Sequence, residues 1–232
     1  MKTRKKLLSK KAVSEIISFV LIILLSIALV GTAYAWAWPL ILKRQHTMKV
    51  EKVLNYFDQR NSNSLISKIE SVAKTGMQDT FFSDVDGIWI LHEYNESGPE
   101  NNSIEFITFS KVTNVAVGNW SSITFGSNCP PQMGLIGIDS PLVVCGKSDF
   151  HMDGFDVVYR GWSRKVINPV ETQGYKINLV KAPNGPLQST GDNIFIKAEK
   201  TFTCVPTTPP DPPNPACPTE TLIITEVKIL LG

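Results

Sequence analysis

Charge is missing from the chain between Ile16 and Leu42, a run of 27 residues without Asp, Glu, Lys or Arg. As a helix, the segment from Ile16 to Ala35 alone covers roughly 30 Å, the thickness of a bilayer core. A membrane span over 16–38 is therefore predicted, with Tyr34, Trp36 and Trp38 where an aromatic belt would meet the far interface. Pro39 removes one backbone donor and is expected to kink or locally unwind the helix. Beyond it, Val50, Val53, Leu54 and Phe57 recur at i, i+3, i+4 and i+7, an amphipathic continuation over 48–58. Gln59 to Ser64 reads as a break. A second helix over 63–75 follows, with Leu65, Ile66, Ile69, Val72 and Ala73 on one face and Gly76 as its stop.

The pattern changes near Thr80 to short alternating runs divided by Gly, Pro, Asn and Asp. DGIWILHEY, NSIEFITF, GFDVVYR, GYKINLVKA, NIFIKAEKTF and LIITEVKILL all read as strands. In the fifth, Ile194, Ile196 and Ala198 share a face; in the last, Ile223, Val227, Ile229 and Leu231 do, which predicts a core strand. SGPENN, KAPNGP and QSTGD suit turns. Helices and strands do not alternate, so the predicted fold is α+β: a long N-terminal hydrophobic helix, then a β-rich, antiparallel, sandwich-like head over 78–232.

The formal net charge of +2 conceals an asymmetry. Six of the 23 basic residues lie in MKTRKKLLSKK, leaving 17 against 21 acids, a balance of −4. Nucleic-acid binding needs basic residues spread over the fold, so no nucleic-acid partner is expected. Basic residues ahead of the span instead predict a cytoplasmic N-terminus and an exported remainder. A secretory signal cut after Ala33-Tyr34-Ala35 and an uncleaved single-pass anchor both fit the apolar run. Neither accounts for Glu15 at its mouth, where a charge is costly.

KKAVSEII followed by an apolar helix resembles the class III signal of archaeal type IV pilins and pilin-like proteins. The resemblance implies cleavage by a prepilin peptidase on the cytoplasmic side, after Ala12 so that Val13 becomes the N-terminus, or after Lys11. It divides the chain into a leader (1–12), an N-terminal helix (13–58) and an extracellular head (59–232). It also implies a structural, non-enzymatic role in a surface filament serving adhesion or a related function. The implied partners are the peptidase, other pilin subunits in a homo- or hetero-filament, and the membrane before assembly. An assembly ATPase and membrane platform act indirectly. Glu15 would then lie within one helical turn of the new amine and pair with a neighbouring subunit's N-terminus in a bundle of apolar helices. The alternative is a membrane-tethered or secreted surface-binding domain that does not polymerise.

Cys129, Cys145, Cys204 and Cys217 all fall on the exported side, and their even number suits disulfides. Of three pairings, Cys129–Cys145 and Cys204–Cys217 close the shortest loops, the second around the Pro-rich VPTTPPDPPNPA. No C-x-x-C pair occurs and the three histidines are scattered, so no metal or cofactor is expected. Gly146-Lys147-Ser148 lacks the earlier glycine of a phosphate loop. Asp149-x-His151-x-Asp153-Gly154 resembles the opening of a calcium loop, but Arg160 stands where the closing glutamate belongs. No catalytic residues are assigned. Asn95, Asn101 and Asn119 begin glycosylation sequons.

Overall fold

A computed structural model describes residues 3–94, 101–168, 170, 173–204 and 221–232, with side chains from Glu15 onward other than that of Cys204. Helix α1 runs Thr3–Phe57 and helix α2 Leu65–Thr75. The strands are β1 (Gln78–Phe82), β2 (Ile88–His92), β3 (Ser103–Ser110), β4 (Ser121–Ser122), β5 (Gly134–Leu135) and β6 (Leu142–His151). They continue as β7 (Gly154–Ser163), β8 (Val166–Asn168), β9 (Gln173–Lys181), β10 (Gln188–Ser189), β11 (Asn193–Cys204) and β12 (Thr221–Leu231). The chain divides into two units, Met1–Gln45 and His46–Gly232.

The first unit is helical. Glu15–Phe57 is the single described stretch long and apolar enough to cross a membrane. Helix assignment passes through Pro39 without the expected local unwinding. The ring deletes one donor only, and the turns on either side keep their own bonds.

The second unit begins with the last turns of α1. Val50, Val53, Tyr56 and Phe57 are buried there, while Leu54 is half-buried at the edge of the stripe. Phe57 lies between the rings of Trp89 and Tyr159, at centroid distances of 5.9 and 5.8 Å. Helix α2 buries Leu65, Ile66, Ile69, Val72 and Ala73. Ser64 caps its start by accepting from the Ser67 N–H at 3.1 Å, and Gly76, at φ 71°, closes it in the left-handed conformation that glycine adopts without strain. Ile66 sits against Gly161 of β7, where an added Cβ would lie 2.5 Å from the Ile66 methyl.

Two six-stranded sheets make up the rest, one ordered β1-β11-β12-β9-β8-β5 and the other β10-β2-β3-β7-β6-β4. One core cluster draws on both helices and both sheets, including Trp89, Phe106 and Tyr159 from one and Ile177, Ile196 and Val227 from the other. The first sheet is mixed, which corrects the antiparallel expectation: β12 pairs parallel with β9, and β5 with β8. Parallel neighbours need a long crossover, usually a helix. Here the chain between Lys181 and Thr221 provides it by way of β10, in the other sheet, and β11.

Strand β12 also departs from a one-faced reading. Val227, Ile229 and Leu231 are buried in the main core, but Ile223 is 37% exposed. Leu222 and Ile224, which point the other way, are buried in a separate small cluster with Phe202. The covered face therefore changes along the strand, from that of Leu222 and Ile224 to that of Val227, Ile229 and Leu231, and a single alternation fails as a guide.

Asn102 links the two sheets. Its backbone has φ 58° and its side chain is 3% exposed. The amide donates to the Ile177 carbonyl at 2.9 Å and accepts from the Leu179 N–H at 2.8 Å, both on β9. Ser163 donates to the same Ile177 carbonyl. Replacing Asn102 with Ala leaves the Leu179 N–H without its acceptor, at a cost of about 1–3 kcal/mol, while Ser163 still serves the Ile177 carbonyl. Asn102→Ala should lower the denaturation midpoint in urea by a corresponding amount, and an unchanged midpoint would remove this clasp from the fold's supports.

Candidate functional site

The apolar stretch of α1 is the longest run of exposed large apolar side chains among the described residues. Ile16, Phe19, Leu21, Ile22, Val30 and Trp36 are each at least 60% exposed. Its polar groups close on the helix itself. Ser26 Oγ donates to the Ile22 carbonyl at 2.8 Å, and Thr32 Oγ1 to the Ala28 and Leu29 carbonyls at 3.0 and 2.9 Å. Hydroxyls bonded this way need no outside partner in hydrocarbon. Tyr34 stacks on Trp38 one turn away, with ring centroids 5.6 Å apart.

Glu15 is exposed at the start of this stretch. The backbone of Lys11, Ala12 and Val13 belongs to α1, while the side chains of these three residues lie outside the description. Asn95 and the Pro-rich segment 205–217 also fall outside the described residues, and with them the Cys204–Cys217 pairing. Asn119 is exposed and Asn101 half-buried.

Cys129 and Cys145 are bonded, with Cα atoms 6.2 Å apart. Cys145 sits on β6, so the bond ties the irregular segment around Cys129 to the sheet. Beneath that segment lies a buried charge cluster for which no site was assigned from sequence. On β7, Arg160 donates through Nε to Glu105 Oε2 of β3 at 2.7 Å, with a second contact from Nη2. His92 Nε2, from β2, lies 3.4 Å from the same oxygen. The guanidinium rests 4.8 Å from the Trp120 ring and 4.9 Å from that of Trp162, and the two indoles meet edge to face at 4.9 Å. Burial pushes the Glu105 carboxyl up, but the His92 hydrogen bond and the Arg160 charge outweigh it and hold it below the ordinary range. So depressed, the carboxylate is a weak proton acceptor near neutrality. Its geometry suits a clamp across β2, β3 and β7.

The signal for this cluster was a charged residue in each of two otherwise apolar runs, IEFITF and VVYRGW. The calcium-like residues separate instead. They sit around the β6–β7 turn, where Lys147 binds Asp149 at 2.8 Å and His151 lies 3.4 Å from Asp156.

No known protein family, curated protein or solved structure matches the chain.

Because Glu105 is depressed in the folded state, its stabilisation is complete above the unfolded carboxylate pKa of about 4.3 and is lost as pH falls through the lower folded value. Glu105→Gln leaves Arg160 buried without its counter-charge, a loss of about 3–5 kcal/mol. Denaturant titrations of the full chain in detergent should show that loss at neutral pH and a smaller gap below pH ~4. A gap independent of pH would exclude the ion pair as its source.

Proposed function

We propose that the chain is a pilin-like structural subunit of an archaeal type IV pilus-type surface filament, assembled through its N-terminal apolar helix. The observation that carries this reading is the uncharged helical stretch from Ile16 to Leu42. Its side chains are exposed, its hydroxyls are bonded within the helix, and Glu15 stands at its start. Apolar surface of that extent needs a bilayer or the like helices of other subunits to cover it. A filament core accounts for both, first in the membrane and then at the cell surface.

On this reading a prepilin peptidase removes Met1 to Ala12 and leaves the α-amino group of Val13 within a turn of Glu15. The carboxylate then pairs with the amine of a neighbouring subunit inside the bundle. The β-rich unit is a sandwich-like head displayed outward, with Asn101 and Asn119 as glycosylation candidates and the Cys129–Cys145 bond suited to an oxidising surface.

Processing and assembly are separable. Intact-mass measurement should show loss of about a dozen residues with the apolar helix retained, by analogy with the leader boundary rather than the small-residue site used by secretory signals. A mature chain starting at Trp36 would overturn the reading. Glu15→Gln then tests the pairing. A helix-start role alone predicts a loss of at most ~1 kcal/mol and normal filaments. Stranding a neighbour's amine in the bundle costs ~3–5 kcal/mol per subunit, enough to abolish filaments in sheared fractions while processed subunit accumulates in membranes. Normal filament yield from Glu15→Gln would exclude the pairing, and a processed chain that never leaves the membrane even as wild type would identify a non-polymerising tethered domain.

A further inference from the structure

The second unit carries an apolar tip at the end where the chain enters it. His46 Nδ1 accepts from the Lys111 N–H at 3.3 Å, and Lys49 Nζ donates to the Phe109 carbonyl at 3.1 Å. The Phe109 ring in turn meets His151 edge-on at 5.8 Å, in the turn between β6 and β7. That turn displays Phe150, 79% exposed although it leans on Phe155 at 5.0 Å, and Met152, 97% exposed. Two large apolar side chains thus stand in solvent two residues apart at this turn.

We propose that this turn rests in the lipid interface of the membrane that holds the subunit, as a second and reversible contact beside the apolar helix. The inference rests on the reading of Ile16–Leu42 as a membrane span. Three residues separate Leu42 from His46, a distance of at most ~14 Å even when fully extended, so His46 and what packs on it stay near the interface. The cations lie where the chain enters and suit phosphate headgroups, whereas the turn itself carries Asp149, Asp153 and Asp156 against Lys147. Within the second unit Lys111 is exposed and Lys49 half-buried beside His46 and Phe109, and Lys43 and Arg44 precede them in the chain. Lys147 offsets Asp149, and His151 lies beside Asp156, while Asp153 is exposed at the turn. Cationic stems with apolar tips are the usual make-up of interfacial contacts. Two side chains are too few for a protein interface, which buries roughly 800 Å² on each partner.

The test is photo-crosslinking of the full chain in vesicles of phosphatidylcholine and phosphatidylglycerol. The benzophenone amino acid p-benzoylphenylalanine is placed singly at Phe150, Met152, Leu24 or Phe125. Leu24 reports the span, and Phe125, 98% exposed in a cavity rim shared with Asn55 and Arg60, reports a surface away from the tip. Lipid adducts are read as mass shifts. The expected result is adduct at Leu24, Phe150 and Met152, severalfold above Phe125. Adduct at Leu24 with Phe150 and Met152 no higher than Phe125 would overturn the inference and leave the span standing. Absence of adduct at Leu24 would remove the span and the inference with it. Chain-to-chain products at Phe150 in place of lipid adducts would assign the tip to a second copy and overturn the lipid contact.

Discussion

The end of α1 belongs to the core of the β-rich unit, and the other features are arranged around that fact. Phe57, fully buried between Trp89 and Tyr159, is the place where helix and sheet become inseparable. Removing such a ring from a packed site leaves a cavity that neighbouring side chains fill only in part. One helix thus contributes its last turns to a folded interior, while its earlier residues show apolar side chains that no described residue covers. The turns from Val50 to Phe57 are part of the unit's interior and continue the helix that carries the uncovered surface.

Several buried polar groups of the β-rich unit are paired between strands, although Trp89 Nε1 and Asn178 Oδ1 find no hydrogen-bond partner among the described residues. Asn102 satisfies a carbonyl and an amide of β9, and Glu105 and Arg160 answer each other beneath two indoles. Such contacts add little net stability against water, yet each is expensive to break, so they select one arrangement of the strands over its near neighbours. Tyr56 extends the pattern to α1. Its hydroxyl bonds the Asp84 carboxylate, and burial, followed by that bond, raises its pKa to about 12.

Periodicity made much of this legible. The stripes of both helices and six of the strands stand in the sequence as spaced apolar positions, because each element hides one face. Strand β6 was missed for the opposite reason: its second half, Gly146-Lys147-Ser148-Asp149, is polar and reads as loop, and its partner β7, with β4 and Val117 on the other side, holds it in the sheet. The parallel join of β9 to β12 has no local signature, since strand partners are chosen by the assembled core. Asn102 lay in a run read as a turn, and its role depends on a strand far along the chain. Of the candidate site, the apolar run and Glu15 were visible as composition, whereas the Glu105–Arg160 cluster required knowing that β3 and β7 are neighbours.

The position of β12 has a consequence for the order of events in folding. It lies between β9 and β11, and both precede it in the chain. Until residues up to Leu231 are free to enter, β9 lacks one neighbour and β11 is paired only with the short β1. A sheet closed by a late central strand forms by distant pairings, which are slow because the loop entropy is lost before the contacts are gained. During that interval the edges of β9 and β11 stay open to other chains, a period in which a helper that shields unpaired strands would have the most to protect.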